Sequence, residues 1–308
     1  DWSSDVCSSD LVPFSSINYG TDTSPEGRMA IENLLLATDA GLGDGETPIF
    51  PVQIFKVKEG VNYEKDDPNY DLFRLAMKTS AKRLFPKFSF LDAPFNKKYY
   101  KPNDYNSEVA YMGCRTRVMG NVYDPTREVT CGRGNLSFTS INLPRLAIEA
   151  KGDINKFYKS LDDMIDLVIR QLLHRFKIQC AKIGKNYPFL MGQNIWLDSD
   201  NIGEYDTVSE VLRHGTLTVG FIGLAETLKA LIGKHHGESA EAQKLGLAII
   251  GHMRKRMDDE AQKTKLNFSL IATPAEGLSG RFAFVLSGCI RQSCRSPAVG
   301  RFPCGRWQ

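Results

Sequence analysis

The sequence predicts an α/β fold, a sheet or barrel built from alternating strands and helices. Two observations carry that expectation. Short runs rich in β-branched and aromatic residues recur between stretches with helical apolar spacing, and the two kinds alternate along the chain. Composition agrees: of 308 residues 42% are hydrophobic and 24% are charged, enough to bury a sizeable core. No stretch approaches the ~18 consecutive apolar residues of a membrane span. The net charge of +3 is too small to point to nucleic acid by itself.

The elements follow in order. Residues 23–38 (TSPEGRMAIENLLLAT) read as a helix with Thr23 or Ser24 as cap, Pro25 in the first turn, and Met29, Leu34, Leu35 and Leu36 as apolar groups. GLGDG at 41–45 lacks the G-x-G-x-x-G order and reads as a turn. TPIFPVQIFKV (47–57) is a strand in which Pro51 argues for a bulge or a strand edge. A helix at 69–83 and a short strand at 87–91 come next. Residues 92–134 lack a clear period and are rich in Pro, Gly, Asn and aromatic residues. NLSFTSINL (135–143) is a strand, and 153–183 is one long helix or two. The apolar run TLTVGFIGL (216–224) feeds the helix AETLKALIG. Residues 239–264 are helical, LNFSLIAT (266–273) is a strand, and PAEGLSGRF opens a turn and a helix start. No repeat recurs at a fixed period.

Both ends differ from the middle. Residues 1–11 (DWSSDVCSSDL) have neither the basic start nor the apolar stretch of a signal peptide and read as an adapter-like head. Residues 284–308 hold three cysteines and four arginines with no lysine and no acid, and read as a foreign tail. Cys289, Cys294 and Cys304 stand at C-x4-C-x9-C, which lacks the paired C-x2-C of a zinc knuckle, so no metal ligands are assigned. The remaining 12–283 is the expected catalytic piece, and its cysteines, Cys114, Cys131 and Cys180, fit a reducing compartment.

Four segments could carry chemistry. In Tyr111-Met112-Gly113-Cys114-Arg115-Thr116-Arg117, a cysteine follows glycine between two arginines; nearby cations favour a thiolate, and a weak S–H bond suits hydrogen-atom transfer. The alternative is a small buried apolar residue. In Cys131-Gly132-Arg133-Gly134-Asn135, glycines admit close backbone approach to a ligand and Asn135 can orient a small polar molecule; the alternative is a tight turn entering a strand. In Thr273-Pro274-Ala275-Glu276-Gly277-Leu278-Ser279-Gly280-Arg281, the start of a helix offers N–H groups, hydroxyls and Arg281 to phosphate; the alternative is an ordinary capped turn. His214 and the pair His235-His236 read as solvated residues at helix ends rather than metal ligands, since adjacent helical positions point apart.

Together VPFSSINYGTD (12–22), FLDAPFNKKYY (90–100), YMGCRTRVMGNVYDP (111–125), GRGNLSFTSINLPRL (132–146), HGTLTVGFIGLAE (214–226), GKHHGES (233–239) and ATPAEGLSGRF (272–282) resemble the catalytic subunit of anaerobic (class III) ribonucleoside-triphosphate reductases. The resemblance runs through nearly all of 12–282. It implies part of a ten-stranded α/β barrel of the ribonucleotide reductase and glycyl-radical type, with a central loop carrying a cysteine. It implies that Cys114 becomes a thiyl radical, that Asn135 holds formate or the substrate region, that Met112 and Gly113 lie by the substrate, and that Thr273, Ala275, Gly277 and Ser279 lie by its phosphates. Glu276 is placed as structural, facing away or paired with Arg281. The implied chemistry converts ribonucleoside triphosphates to deoxyribonucleotides with formate as reductant. A glycyl radical installed by a radical S-adenosylmethionine iron–sulfur activase supplies the oxidant, and ATP and dNTPs act as effectors. The family also implies a homodimer and a cytoplasmic location.

The departures are equally specific. The family's glycine segment, its four-cysteine zinc site, an upstream cysteine and an N-terminal ATP-cone have no counterpart here, so the expectation is an internal fragment unable to turn over alone. Two other readings stand beside this one. The first is another glycyl-radical enzyme, such as a pyruvate formate-lyase relative. The GRGN motif and the lack of a Cys-Cys pair argue against it. The second is a non-catalytic nucleotide-binding remnant.

Overall fold

The computed structural model describes residues 16–102, 104–112, 116–117 and 119–273. The chain divides into two units, one formed by residues up to 134 together with 193–200, the other by 135–192 and the residues from 201 on.

The first unit is built on a parallel sheet of β1 (Ser16–Tyr19), β2 (Val52–Val57) and β3 (Lys87–Phe90), with β2 in the middle. Asn18 lies opposite Ile54, and Phe55 opposite Phe88. Parallel neighbours require a crossover, and helices α1 (Pro25–Ala40) and α2 (Tyr70–Arg83) supply it. Ser24 caps α1 by accepting the Gly27 N–H at 3.0 Å, with Pro25 next in line, and Gly41 ends it at φ 87°. The face α1 buries is Ile31, Leu35 and Thr38, so Met29 (60% exposed) and Leu36 turn to solvent, contrary to the expectation that they supply its apolar contacts. Pro51 stands at the strand edge rather than in a bulge: it immediately precedes β2 and so removes no donor from the central strand. Ile31, Leu35, Phe55, Leu72 and Phe73 form the core between helices and sheet, with Tyr19 and Phe88 against it.

Because strand side chains alternate, Asn18 and Lys56 stand on the face away from these helices. Two fully buried asparagines hold the end of β1. Asn62 donates to the carbonyls of Gly20 and Lys56 at 2.9 Å each, and Asn69 donates to the carbonyls of Gly20 (3.2 Å) and Asp22 (2.8 Å). Gly20 itself has φ 122°, and a β-carbon there would meet the Lys56 carbonyl at 2.8 Å. A short helix, α3 (Pro94–Lys97), precedes a two-residue antiparallel ladder of β4 (Tyr111–Met112) and β5 (Thr116–Arg117).

The second unit carries a parallel sheet of β6 (Asn135–Asn142), β7 (Thr216–Ile222) and β8 (Asn267–Ala272), with β7 central. Between its strands run α4 (Leu143–Ala150), α5 (Ile154–Cys180), α6 (Ser209–Leu212), α7 (Leu224–Ile232) and α8 (Ala240–Thr264). The region expected as one helix or two holds a single helix, Ile154–Cys180. Asp153 caps it, and Phe157, Leu161, Ile165, Val168 and Leu172 form its buried stripe at helical spacing. α4 was not anticipated, yet its signals are present: the Asn142 side chain accepts the Arg145 N–H at 3.2 Å, and Pro144 occupies the first turn. Among the described residues no helix is long and apolar enough to cross a membrane.

Candidate functional site

Each unit contributes one feature with chemical content. In the second unit it is the face of the sheet opposite the helices. Thr139 Oγ1 donates to Gln171 of α5 at 3.1 Å, which marks the helix side; Ser140, Thr218, Gly220 and Ser269 alternate onto the other. Asn135, exposed at the start of β6, accepts a hydrogen bond from Thr218 Oγ1 at 3.3 Å, and Thr218 is 2.8 Å from Ser269 Oγ. A hydroxyl has one proton. If Thr218 gives its proton to Asn135, Ser269 must donate to Thr218. The relay turns the carbonyl end of Asn135 toward β7 and its amide nitrogen, a donor only, the other way.

Further along the same face Ser140 Oγ and Thr273 Oγ1 lie 2.7 Å apart, and the Thr273 N–H donates to the Phe221 carbonyl at 3.0 Å. One of the two hydroxyl protons makes the mutual bond; the accepting hydroxyl can offer its own to another acceptor. Gly220 leaves the room for this pair: a β-carbon would sit 2.2 Å from Thr273 Oγ1 and 2.6 Å from Ser140 Oγ. None of these side chains is a carboxylate, which suits an anionic or hydroxyl-rich ligand.

The first unit supplies the flanks of Cys114. Tyr111 pairs with Arg117, and Met112 with Thr116. Cys114 and Gly113 lie outside the described residues, as do Ala275, Glu276, Gly277, Ser279 and Arg281, and the cysteines 289, 294 and 304. The Arg117 guanidinium donates to the Asn96 side chain (2.6 Å) and the Phe95 carbonyl (2.8 Å) and lies over the Phe95 ring. Arg133 is buried. It donates to the main-chain carbonyls of Met119 (2.9 Å), Val129 (3.0 Å) and Gly120 (3.0 Å), and burial pushes its pKa down to about 10, leaving it charged near neutrality. Gly132, at φ 70°, does admit a close backbone approach, but the partner is the protein's own chain: its carbonyl accepts the Leu197 N–H at 2.7 Å.

The other cysteines are less apt. Cys131 is exposed in the turn before Arg133, and burial pushes the Cys180 thiol up, away from thiolate. His214 is not solvated: it is 1% exposed, and the Asn267 amide donates to the His214 carbonyl at 3.4 Å and to the Gly215 carbonyl at 3.2 Å. His235 and His236 do sit past the end of α7, where His235 Nδ1 accepts the Gly237 N–H at 3.0 Å. Among the described residues no three His, Cys, Asp or Glu side chains group as metal ligands. The sequence reading missed Thr218, Ser269 and Ser140. The signal for Thr218 was there, since Thr216, Thr218 and Gly220 alternate with Leu217, Val219 and Phe221 inside a run read only as apolar.

Comparison with known proteins gives a family. The family model for anaerobic ribonucleoside-triphosphate reductase matches residues 10–287. The anaerobic ribonucleoside-triphosphate reductase of Escherichia coli K12 is 33% identical over 278 residues, covering 88% of this chain and 37% of that protein. The enzyme of the same name from bacteriophage T4 is 31% identical and covers 88% of this chain and 43% of its own length. The chain thus spans well under half of these curated relatives. Among solved structures, the Thermotoga maritima anaerobic ribonucleotide reductase with citrate in its active site aligns at TM-score 0.57 and 16% identity, over 89% of this chain and 50% of that one. The same reductase in complex with dATP and CTP aligns at TM-score 0.54 over 93% of this chain and 45% of that one.

Proposed function

The chain belongs to the anaerobic ribonucleoside-triphosphate reductase family, and on that premise we propose that residues 12–283 form part of a catalytic barrel that reduces ribonucleoside triphosphates to 2′-deoxyribonucleoside triphosphates. The two three-stranded parallel sheets would be segments of one ten-stranded barrel, with the β4–β5 ladder flanking its central loop. The observation that carries the reading is the carboxylate-free polar face on β6–β7–β8. Asn135 and Thr273, singled out in the sequence for substrate contacts, both lie on hydroxyl relays there.

In this reading Cys114 takes the hydrogen atom from ribose C3′, the 2′-hydroxyl leaves as water after gaining a proton, formate supplies two electrons and leaves as carbon dioxide, and Cys114 returns hydrogen to C3′. A glycyl radical, installed by an S-adenosylmethionine-dependent iron–sulfur activase, would supply the initial one-electron oxidation of the thiol. Asn135 would donate from its amide to a formate or substrate oxygen, oriented by Thr218. Met112 and Gly113 would line the substrate beside Cys114. Thr273, with Ala275, Gly277 and Ser279, would hold the phosphates. ATP and dNTP control, a homodimer and a cytoplasmic location belong to the same reading.

The test is Asn135→Ala in the reductase that carries this segment, assayed anaerobically with formate and a ribonucleoside triphosphate. Loss of one preorganised donor should lower kcat/KM on the order of 10²-fold. An unchanged dependence on formate and on nucleotide would remove Asn135 from the site.

A further inference from the structure

The segment that leads to Cys114 is fixed to the sheet of the first unit by side chains rather than by strand pairing. Asn18, on β1, donates from its amide nitrogen to the Tyr111 carbonyl at 2.9 Å and accepts the Tyr111 N–H on its carbonyl oxygen at 2.8 Å. One side chain thereby satisfies both main-chain groups of Tyr111, as a neighbouring strand would. Three residues earlier, Glu108 receives Lys56 Nζ at 2.8 Å and Thr21 Oγ1 at 3.2 Å, and the lysine and glutamate side chains are both largely buried. Asn18 and Lys56 stand on the same face, the one away from α1 and α2, on adjacent strands, and the end of β1 is itself held by Asn62 and Asn69.

We infer that Asn18 is a positioning residue for β4, the strand that leads to Cys114, clamping Tyr111 while the Lys56–Glu108 pair fixes the chain just before it. The amide suits this task. It offers one donor and one acceptor at the spacing of a peptide group, whereas a carboxylate offers acceptors only and an aliphatic side chain neither. The catalytic consequence, though not the mounting itself, rests on the proposed function: a cysteine that must reach one ribose hydrogen tolerates little displacement.

Alkylation of the intact chain by iodoacetamide, followed residue by residue through peptide mass spectrometry, tests the mounting. In Asn18→Ala the Cys114 rate should rise roughly tenfold, the ratio that two net hydrogen bonds sustain against local opening. Cys180, on α5 in the other unit, should react at the parent rate. Parent-like Cys114 reactivity, or parallel rises at both cysteines, would overturn the proposal. Should Asn18→Ala not fold, Asn18→Asp keeps the size and the acceptor and loses the donor. The same selective rise is expected, and its absence is equally contrary. In the reductase, Asn18→Ala should lower kcat on the order of 10²-fold with KM little changed; an unaltered kcat would deny the positioning role. Full activity of Cys114→Ala would instead sink the functional reading while leaving the alkylation result standing, so the two failures are distinct.

Discussion

Gly220 shows how much a single position can decide. It faces the Ser140–Thr273 hydroxyl pair from the middle strand, and any side chain would occupy the space those hydroxyls use. Gly220→Ala should force the pair apart, destabilise the second unit by about 1–3 kcal/mol in urea unfolding and raise the KM for nucleotide. Parent-like stability and KM would show that the hydroxyls move aside without consequence. Asp124 offers a residue-level test in pH. The Thr126 hydroxyl and then the Arg127 guanidinium hold its carboxyl down to about 2, below its usual value of 3.8. A folded pKa below the unfolded one means that its stabilisation is present above about pH 4 and is lost as pH falls from there through about 2. Asp124→Asn should therefore narrow its stability gap to the parent progressively over that window; a gap constant with pH would contradict the assignment. At this scale the compact motifs around Asn135 and Thr273 single those two residues out. Their hydroxyl neighbours Thr218 and Ser269 do not stand out in the sequence, because they meet Asn135 only through strands that come together across the sheet.

Elements were legible where a period exists. The stripe from Phe157 to Leu172 and the Ser24 cap of α1 are written into the local sequence. α4 was hidden behind the strand before it, since Asn142 both ends β6 and caps the helix. Among the described residues of 92–134, side chains reaching main-chain carbonyls carry many of the contacts, and such contacts follow no period. Arg133 is the clearest case, one cation against three carbonyls. Arg133→Met keeps much of the volume and removes every donor. It should cost about 3 kcal/mol or more in unfolding free energy, given the strength of charge-assisted bonds and the desolvated oxygens left behind. A loss under about 1 kcal/mol would mean that water replaces the guanidinium.

At the scale of the molecule, α/β alternation and the parallel character of both sheets follow from crossovers visible in the sequence, whereas the division into two units does not. Residues 193–200 join the first unit from within the second, through bonds such as Arg127 to Asp198 at 2.5 and 2.7 Å. Such long-range pairs leave no mark on either segment alone. Family membership was legible because motifs along the whole of 12–282 agree, and the matching family model spans 10–287. The role proposed for Cys114 is that of the cysteine of a ribonucleotide-reducing site. It is tested most directly by anaerobic turnover of a ribonucleoside triphosphate by the reductase containing this segment, with Cys114 intact or replaced by alanine. Cys114→Ala is expected to bind the nucleotide as the parent does and to form no deoxyribonucleotide above background. Product formed at the parent rate would contradict it.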